Sequence, residues 1–164
     1  MSKATLQATY NQLAKLVREY KQALDGVADE DFSSWKPSAA AIGGGEMNTF
    51  SGLSVHVIQA AGWRIVHQIF GLEYPRDREH EFDATDSRAE IDLRFDEVLA
   101  RFASLIESGP EVDLNSLPPT IRQESPDGTR LEYLIQVVGH TALHLGHAQI
   151  HRQLWQAERG NGPS

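Results

Sequence analysis

Histidines at helical spacing are the residues of this chain best suited to chemistry. The seven histidines are His56, His67, His80, His140, His144, His147 and His151. The last four follow the spacing i, i+4, i+7 and i+11, so on one helix they fall within a strip of roughly 60°. Neutral imidazole binds zinc, nickel, iron and copper, and two histidines at i and i+4 can hold one ion. The pattern predicts a metal site on a helix.

The surroundings of this strip favour a metal over a set of ordinary core histidines. Apolar residues flank it on both sides, among them Leu143, Ile150, Val137 and Ala148, so we expect the strip in the middle of an inward face. A single buried histidine is usually satisfied by one hydrogen bond. Several in one dry core would each need a partner, whereas one ion satisfies several imidazoles at once.

Few side chains of the helical segments offer such hydrogen bonds. The candidates are Gln59, Thr141 and Gln149. Because hydrogen-bond partners are few, each further histidine on the inward face makes a metal site a better explanation than a set of hydrogen-bonded core histidines.

Spacing leaves open which histidines are the ligands. The pairs that qualify are His140 with His144, His144 with His147, and His147 with His151. His56 and His67 both lie on the inward stripe of an earlier predicted helix, about 16 Å apart, so at most one of them joins a single ion. Three imidazoles leave coordination positions open for water or substrate, which is typical of catalytic zinc sites.

Composition excludes several other classes of function. The chain has 164 residues, no cysteine and a net charge of −8, from 15 basic and 23 acidic residues. It therefore has no disulfide and no thiolate nucleophile, and its scattered basic residues argue against binding nucleic acid. No stretch approaches the ~20 apolar residues of a membrane span, and the N-terminus has no apolar core of the signal-peptide kind. We expect a cytoplasmic protein with no membrane partner.

Prolines divide the chain into helical segments. They cluster between four stretches with three- and four-residue apolar periodicity, and proline avoids helix interiors. Helices are predicted over roughly 3–26, 50–70, 88–108 and 130–159. This is an all-α, four-helix bundle with long inter-helix loops, in a single domain over 1–164.

Local signals support these boundaries. Ser87 with Glu90, and Thr129 with Glu132, are spaced as capping boxes, and Asn48 or Thr49 is the expected N-cap of the second helix. The connections over 28–48 and 71–86 are expected to be loops, and 125–128 is expected to turn. Within the charged second connection, the run 74–79 is expected to be solvated, with a lid or a dimer contact as the alternative. The helical glycines Gly62, Gly139 and Gly146 are expected to permit close helix packing.

The fourth predicted helix carries a familiar sequence over 139–150, GHTALHLGHAQI. Together with His56, seven residues before Trp63, it resembles the DinB/YfiT-like superfamily. Those bacterial four-helix proteins build a metal site from one histidine of the second helix and an H-x-x-x-H pair of the fourth. The resemblance implies that His56, His140 and His144 are the ligands. In the family a Gly-Gln-Ile type of ending commonly follows the pair, but here His147 intervenes, which keeps it open as a ligand or proton carrier.

The resemblance implies a range of functions rather than one. Some members are thiol-dependent S-transferases or maleylpyruvate isomerases that use a bacterial low-molecular-weight thiol, and others are assigned as metal-dependent hydrolases. We expect one divalent ion, zinc or nickel, with a low-molecular-weight thiol as cofactor and a small-molecule substrate. His147 is the candidate general base. Arg64 is the candidate to bind a carboxylate of substrate or thiol, with a solvated edge position as the alternative.

The choice between these reactions depends on carboxylates. No Asp or Glu occurs over 50–70 or between Glu132 and Glu158, so these two histidine-bearing segments supply no acid or base of that kind. Thiol transfer is therefore favoured over hydrolysis by water on the ion. A non-catalytic metal- or ligand-binding stress-response protein is the alternative from another class. The bundle can also pair as a homodimer through exposed helix faces.

Overall fold

The computed structural model of the chain is all-helical, as predicted. It describes residues 2–41, 43, 47–79, 81–120 and 128–160, and no strand occurs among them. The helices are α1 (Ser2–Ala23), α2 (Asp29–Phe32), α3 (Phe50–Gly62), α4 (Arg88–Ser108) and α5 (Arg130–Gly160), and a π-helical segment (Trp63–Ile69) continues α3. Within these residues no helix combines the length and apolar character that crossing a bilayer requires.

Two features depart from the predicted helices. The short helix α2 lies within the expected linker, and the helix predicted over 50–70 changes its hydrogen bonding after Gly62. In the π-helical segment the backbone bonds reach five residues back, as from Phe70 N to Ile65 O at 3.2 Å. Such wide turns are rare in proteins, and many of those that occur lie at functional sites. This one follows directly on the helix that carries His56.

The four long helices enclose one core. α1 packs against α4 and α5, and α3 packs against the same two helices, which closes a ring of four. The largest fully buried side chains are aromatic: Tyr20, Phe32, Phe50, Phe102 and Tyr133. Burial of such side chains is the main stabilising contribution to a helical domain of this size.

The predicted helix starts are confirmed. Thr49 caps α3 by accepting from Gly52 N at 3.0 Å, and Ser87 with Glu90 forms a complete capping box on α4. Glu132 accepts from Thr129 N at 2.6 Å at the start of α5. The predicted turn over 125–128 lies almost wholly outside the described residues.

The orientation of α5 corrects one expectation. Its buried face is formed by Tyr133, Leu134, Val137, Thr141, Leu145, Ala148 and His151. Leu143 and Ile150, which were expected to pack inward beside the histidines, are 57% and 51% exposed. The histidine strip therefore lies along the edge of the buried face, because the core occupies only one side of the helix.

Candidate metal centre

Three histidines from two helices meet at one point. His56 is on α3, and His140 and His144 are one turn apart on α5. One ring nitrogen from each lies within 4.8 Å of the other two, and Nε2 of His56 is 3.2 Å from Nε2 of His140. Two nitrogens bound to one tetrahedral zinc at ~2.0–2.1 Å would lie about 3.3 Å apart. The donor set and its spacing therefore fit a divalent transition-metal ion.

A buried carboxylate orients the first of these rings. Nδ1 of His56 donates to Oε2 of Glu81 at 2.7 Å, which leaves Nε2 to face the other histidines. Arg76 donates to both oxygens of Glu81, from Nε at 2.5 Å and from a terminal nitrogen at 3.1 Å. In metal sites a carboxylate on the far nitrogen fixes the tautomer and orientation of the imidazole and raises its basicity as a ligand.

Glu81 is the site residue that sequence reasoning missed. It lies in the charged loop over 71–86, yet Glu81 is 1% exposed. No periodicity connects this loop to α3, so the charged run gave no sign that one of its acids is buried.

His147 contacts the site through His144. The Nδ1 atoms of the two rings are 3.2 Å apart, so one of them carries the shared proton. If Nε2 of His144 held an ion, the neutral ring would carry its proton on Nδ1 and would donate it to Nδ1 of His147. This places His147 beside the three-histidine cluster rather than within it.

The electrostatics of the cluster favour neutral imidazoles. Burial lowers the pKa of His140 to about 3, and the charge of Arg64 acts in the same direction. Burial, together with the charge of His56, lowers the pKa of His144 to about 4. The pKa of His56 is also lowered, chiefly by burial, although Glu81 opposes this. Neutral imidazole is the form that binds a metal.

Arg64 is buried rather than placed at a solvated edge. It lies on the π-helical segment, is 8% exposed and donates weakly to Ala60 O at 3.5 Å. Its guanidinium is close enough to lower the pKa of all three clustered histidines. A positive charge in this position favours an anionic ligand at the site.

The remaining histidines have ordinary partners. His67 contacts Leu72 O at 3.1 Å and Thr120 Oγ1 at 2.8 Å. His151 contacts Asn48 O at 2.9 Å and His147 O at 3.2 Å. These partners come from loops and backbone, not from the three side chains considered in the sequence, and they satisfy both rings without a metal ion. His80 lies outside the described residues.

A cavity of about 270 Å³ adjoins the cluster. Its lining is Met47, Asn48, Leu53, His56, Phe82, His144, His147 and His151. Phe82 stacks on His56 with ring centroids 5.0 Å apart. Among these lining residues there is no carboxylate, lysine or arginine. The cavity therefore suits a small molecule with an uncharged, partly apolar body.

Comparison of the chain with protein-family models, with curated proteins and with solved structures found no match.

Proposed function

We propose that this protein is a metal-dependent enzyme with one divalent transition-metal ion, zinc or nickel, held by His56, His140 and His144. The observation that carries the proposal is the convergence of three neutral imidazole nitrogens within 4.8 Å, backed by the buried carboxylate of Glu81. A carboxylate behind a ligand histidine is characteristic of built metal sites. Three protein ligands leave coordination positions open beside the cavity, as in catalytic sites.

The reaction that this arrangement supports best is transfer of a thiol to a small electrophile. An ion in this site would favour loss of the proton of a bound thiol or water. Both oxygens of Glu81 are occupied by His56 and Arg76, so Glu81 is not available as the base that hydrolysis by water would use. This supports thiol transfer, in agreement with the resemblance to DinB/YfiT-like proteins.

The residues around the ion have separate roles in this proposal. Glu81 and Arg76 hold the His56 ring in position. Arg64 supplies a positive charge that favours an anionic group of the thiol or substrate, and the cavity beside Phe82 accepts the uncharged body of the electrophile. His147 remains the candidate proton carrier, because it both lines the cavity and contacts His144.

Metal content tests the first part of the proposal. Protein prepared without an affinity tag should contain about one zinc or nickel per chain by elemental analysis. His56→Ala, His140→Ala and His144→Ala should each lose the ion while keeping their helical circular dichroism. His67→Ala is the matched control, because that ring is satisfied by Leu72 and Thr120, and it should retain the ion. A wild-type protein that takes up no metal, even from added salts, contradicts the proposal.

Thiol binding tests the reaction class separately. Low-molecular-weight thiols should change the visible spectrum of the cobalt-substituted protein, and thiol and electrophile should be consumed together only with metal present. Hydrolysis of ester or amide substrates without any thiol requirement would favour the hydrolase instead. A loaded protein that neither binds thiols nor turns over either class would correspond to a non-catalytic binding protein.

A further inference from the structure

The outer face of α5 is apolar although it faces solvent. Ile135, Leu143 and Ile150 are 63%, 57% and 51% exposed, and the helix places them on one side with Ala142. No Asp, Glu, Lys or Arg occurs over 133–151, in a chain that is 23% charged. A continuous exposed apolar strip of this kind marks an interaction surface. We call this face, over 135–150, the α5 strip.

Two glycines in the α5 strip have no explanation within the chain. A Cβ atom added at Gly139 or Gly146 would meet nothing within 4 Å, so neither glycine serves packing inside the protein. Gly62 differs, since a Cβ there would lie 2.3 Å from Tyr74 Oη. Glycine is unfavourable in a helix interior compared with alanine. A pair of glycines with open space above them, Gly139 exposed and Gly146 half-buried, is useful where a second helix approaches the backbone closely.

The α5 strip is self-complementary about a point between Ala142 and Leu143. When two copies of the helix run antiparallel about a two-fold axis there, residue i of one copy faces residue 285 − i of the other. The pairs are Ile135 with Ile150, Gly139 with Gly146, Ala142 with Leu143, and Gln136 with Gln149. In this arrangement the isoleucines meet at the two ends of the contact, and the glycines between them allow the two helices to approach closely. The exposed glutamines meet at the rim of the contact.

The distribution of charge supports a second copy of this chain as the partner that binds the α5 strip. Two chains of net charge −8 repel each other, so a contact between them is least costly where charged residues are missing. The stretch 133–151, which contains the α5 strip, provides about five turns of helix without one. A two-fold contact requires the same patch on both copies, and the paired positions meet this requirement.

We infer that two copies of this chain associate through the α5 strip, with the α5 helices antiparallel and the two-fold axis between Ala142 and Leu143. The inference is independent of the proposed function, since none of the paired residues is a metal ligand. The neighbouring residues His140, His144 and His147 point to a different side of the helix, so the contact leaves the cluster intact.

Sedimentation of the full chain over a range of concentrations tests the association. The wild type should be a dimer, and Leu143→Glu should weaken the dimer at least about tenfold in Kd. Leu93→Glu is the matched control, because Leu93 on α4 is 60% exposed, and it should leave the dimer unchanged. Circular dichroism and metal content should match the wild type in both variants. A wild type that is monomeric throughout, or an equal effect of both substitutions, overturns the inference.

Cysteine cross-linking tests the register, and the chain helps by having no cysteine of its own. Under oxidation Leu143→Cys should cross-link with itself, because that position adjoins the axis. Ile135→Cys and Ile150→Cys should cross-link when mixed and not alone, since their like positions would be about 22 Å apart. Self-cross-linking of Ile135→Cys and of Ile150→Cys would indicate parallel helices and overturn the antiparallel arrangement.

Discussion

The buried carboxylate of Glu81 accepts a hydrogen bond from Nδ1 of His56 at 2.7 Å, across 25 residues of chain. Glu81 belongs to a loop and His56 to α3, and Arg76 holds the carboxylate from the other side. An ionised group with no exposed surface is stable only when it is paired and hydrogen-bonded. Arg76 and Glu81 of this loop are thus part of the candidate metal centre.

Replacing this carboxylate should weaken metal binding. For Glu81→Gln we expect a loss of about 10–100-fold in metal affinity, because the His56 ring loses its charged acceptor. Competition with a chromophoric chelator measures the affinity. Glu79→Gln, an exposed acid of the same loop, is the control and should bind as the wild type does. Equal affinities for all three proteins would show that Glu81 is not a support of the site.

Removing His147 should leave the metal in place. His147 contacts Nδ1 of His144 but lies outside the three-histidine cluster. For His147→Ala we expect about one ion per chain, bound roughly tenfold more weakly than in the wild type. His147→Gln should recover part of this metal affinity, because it keeps a hydrogen-bond acceptor for His144. Loss of the ion in His147→Ala, with retention in His140→Ala, would instead place the site at His144 and His147.

Asp31 should make stability depend on pH. It is 5% exposed and accepts from Trp155 Nε1 at 2.8 Å and from Arg159. Burial raises its pKa, but these two hydrogen bonds and the charge of Arg159 outweigh that effect, and the pKa lies below its usual value. Because the pKa is lower in the folded state than in the unfolded state, the ionised carboxylate of Asp31 stabilises the fold. This stabilisation is fully present above the unfolded-state pKa of about 3.9 and is lost as the pH falls below that value.

Denaturant unfolding at several pH values checks this expectation. Asp31→Asn should cost about 1–3 kcal/mol at pH 7, and its difference from the wild type should shrink as the pH falls below about 4. Asp25→Asn is the control, because that carboxylate is exposed in its ion pair with Arg88, and exposed pairs contribute little. A difference that stays constant with pH would contradict the role assigned to the Asp31 carboxylate.

A side chain at Gly62 should destabilise the protein. A Cβ at this position would lie 2.3 Å from Oη and 2.4 Å from Cζ of Tyr74, so Gly62→Ala forces the ring to move and should cost about 1–3 kcal/mol. Urea unfolding measures this. In a Tyr74→Ala background the added cost of Gly62→Ala should largely disappear, because the clash is gone. An equal cost in both backgrounds would assign the effect to the helix backbone instead.

Features that depend on residues close together in the chain were predictable. The four long helices, the caps at Thr49, Ser87 and Thr129, and the stripe of histidines on α5 follow from periodicity and capping chemistry. Each of these involves neighbours within four positions, where helix geometry leaves little choice. Spacing offered His140 with His144 as one of three possible pairs, and the family resemblance selected that pair and added His56.

Only the tertiary structure decided what lies beside those residues. It turned His56 toward the α5 pair and gave His67 separate partners in Leu72 and Thr120. It also buried Glu81 and Arg64, and exposed Leu143 and Ile150. These outcomes depend on how helices rotate against one another and on where a loop folds back. The helix rotations and the position of the loop are both determined by packing between residues that are distant in the chain, and a local sequence pattern does not show such packing.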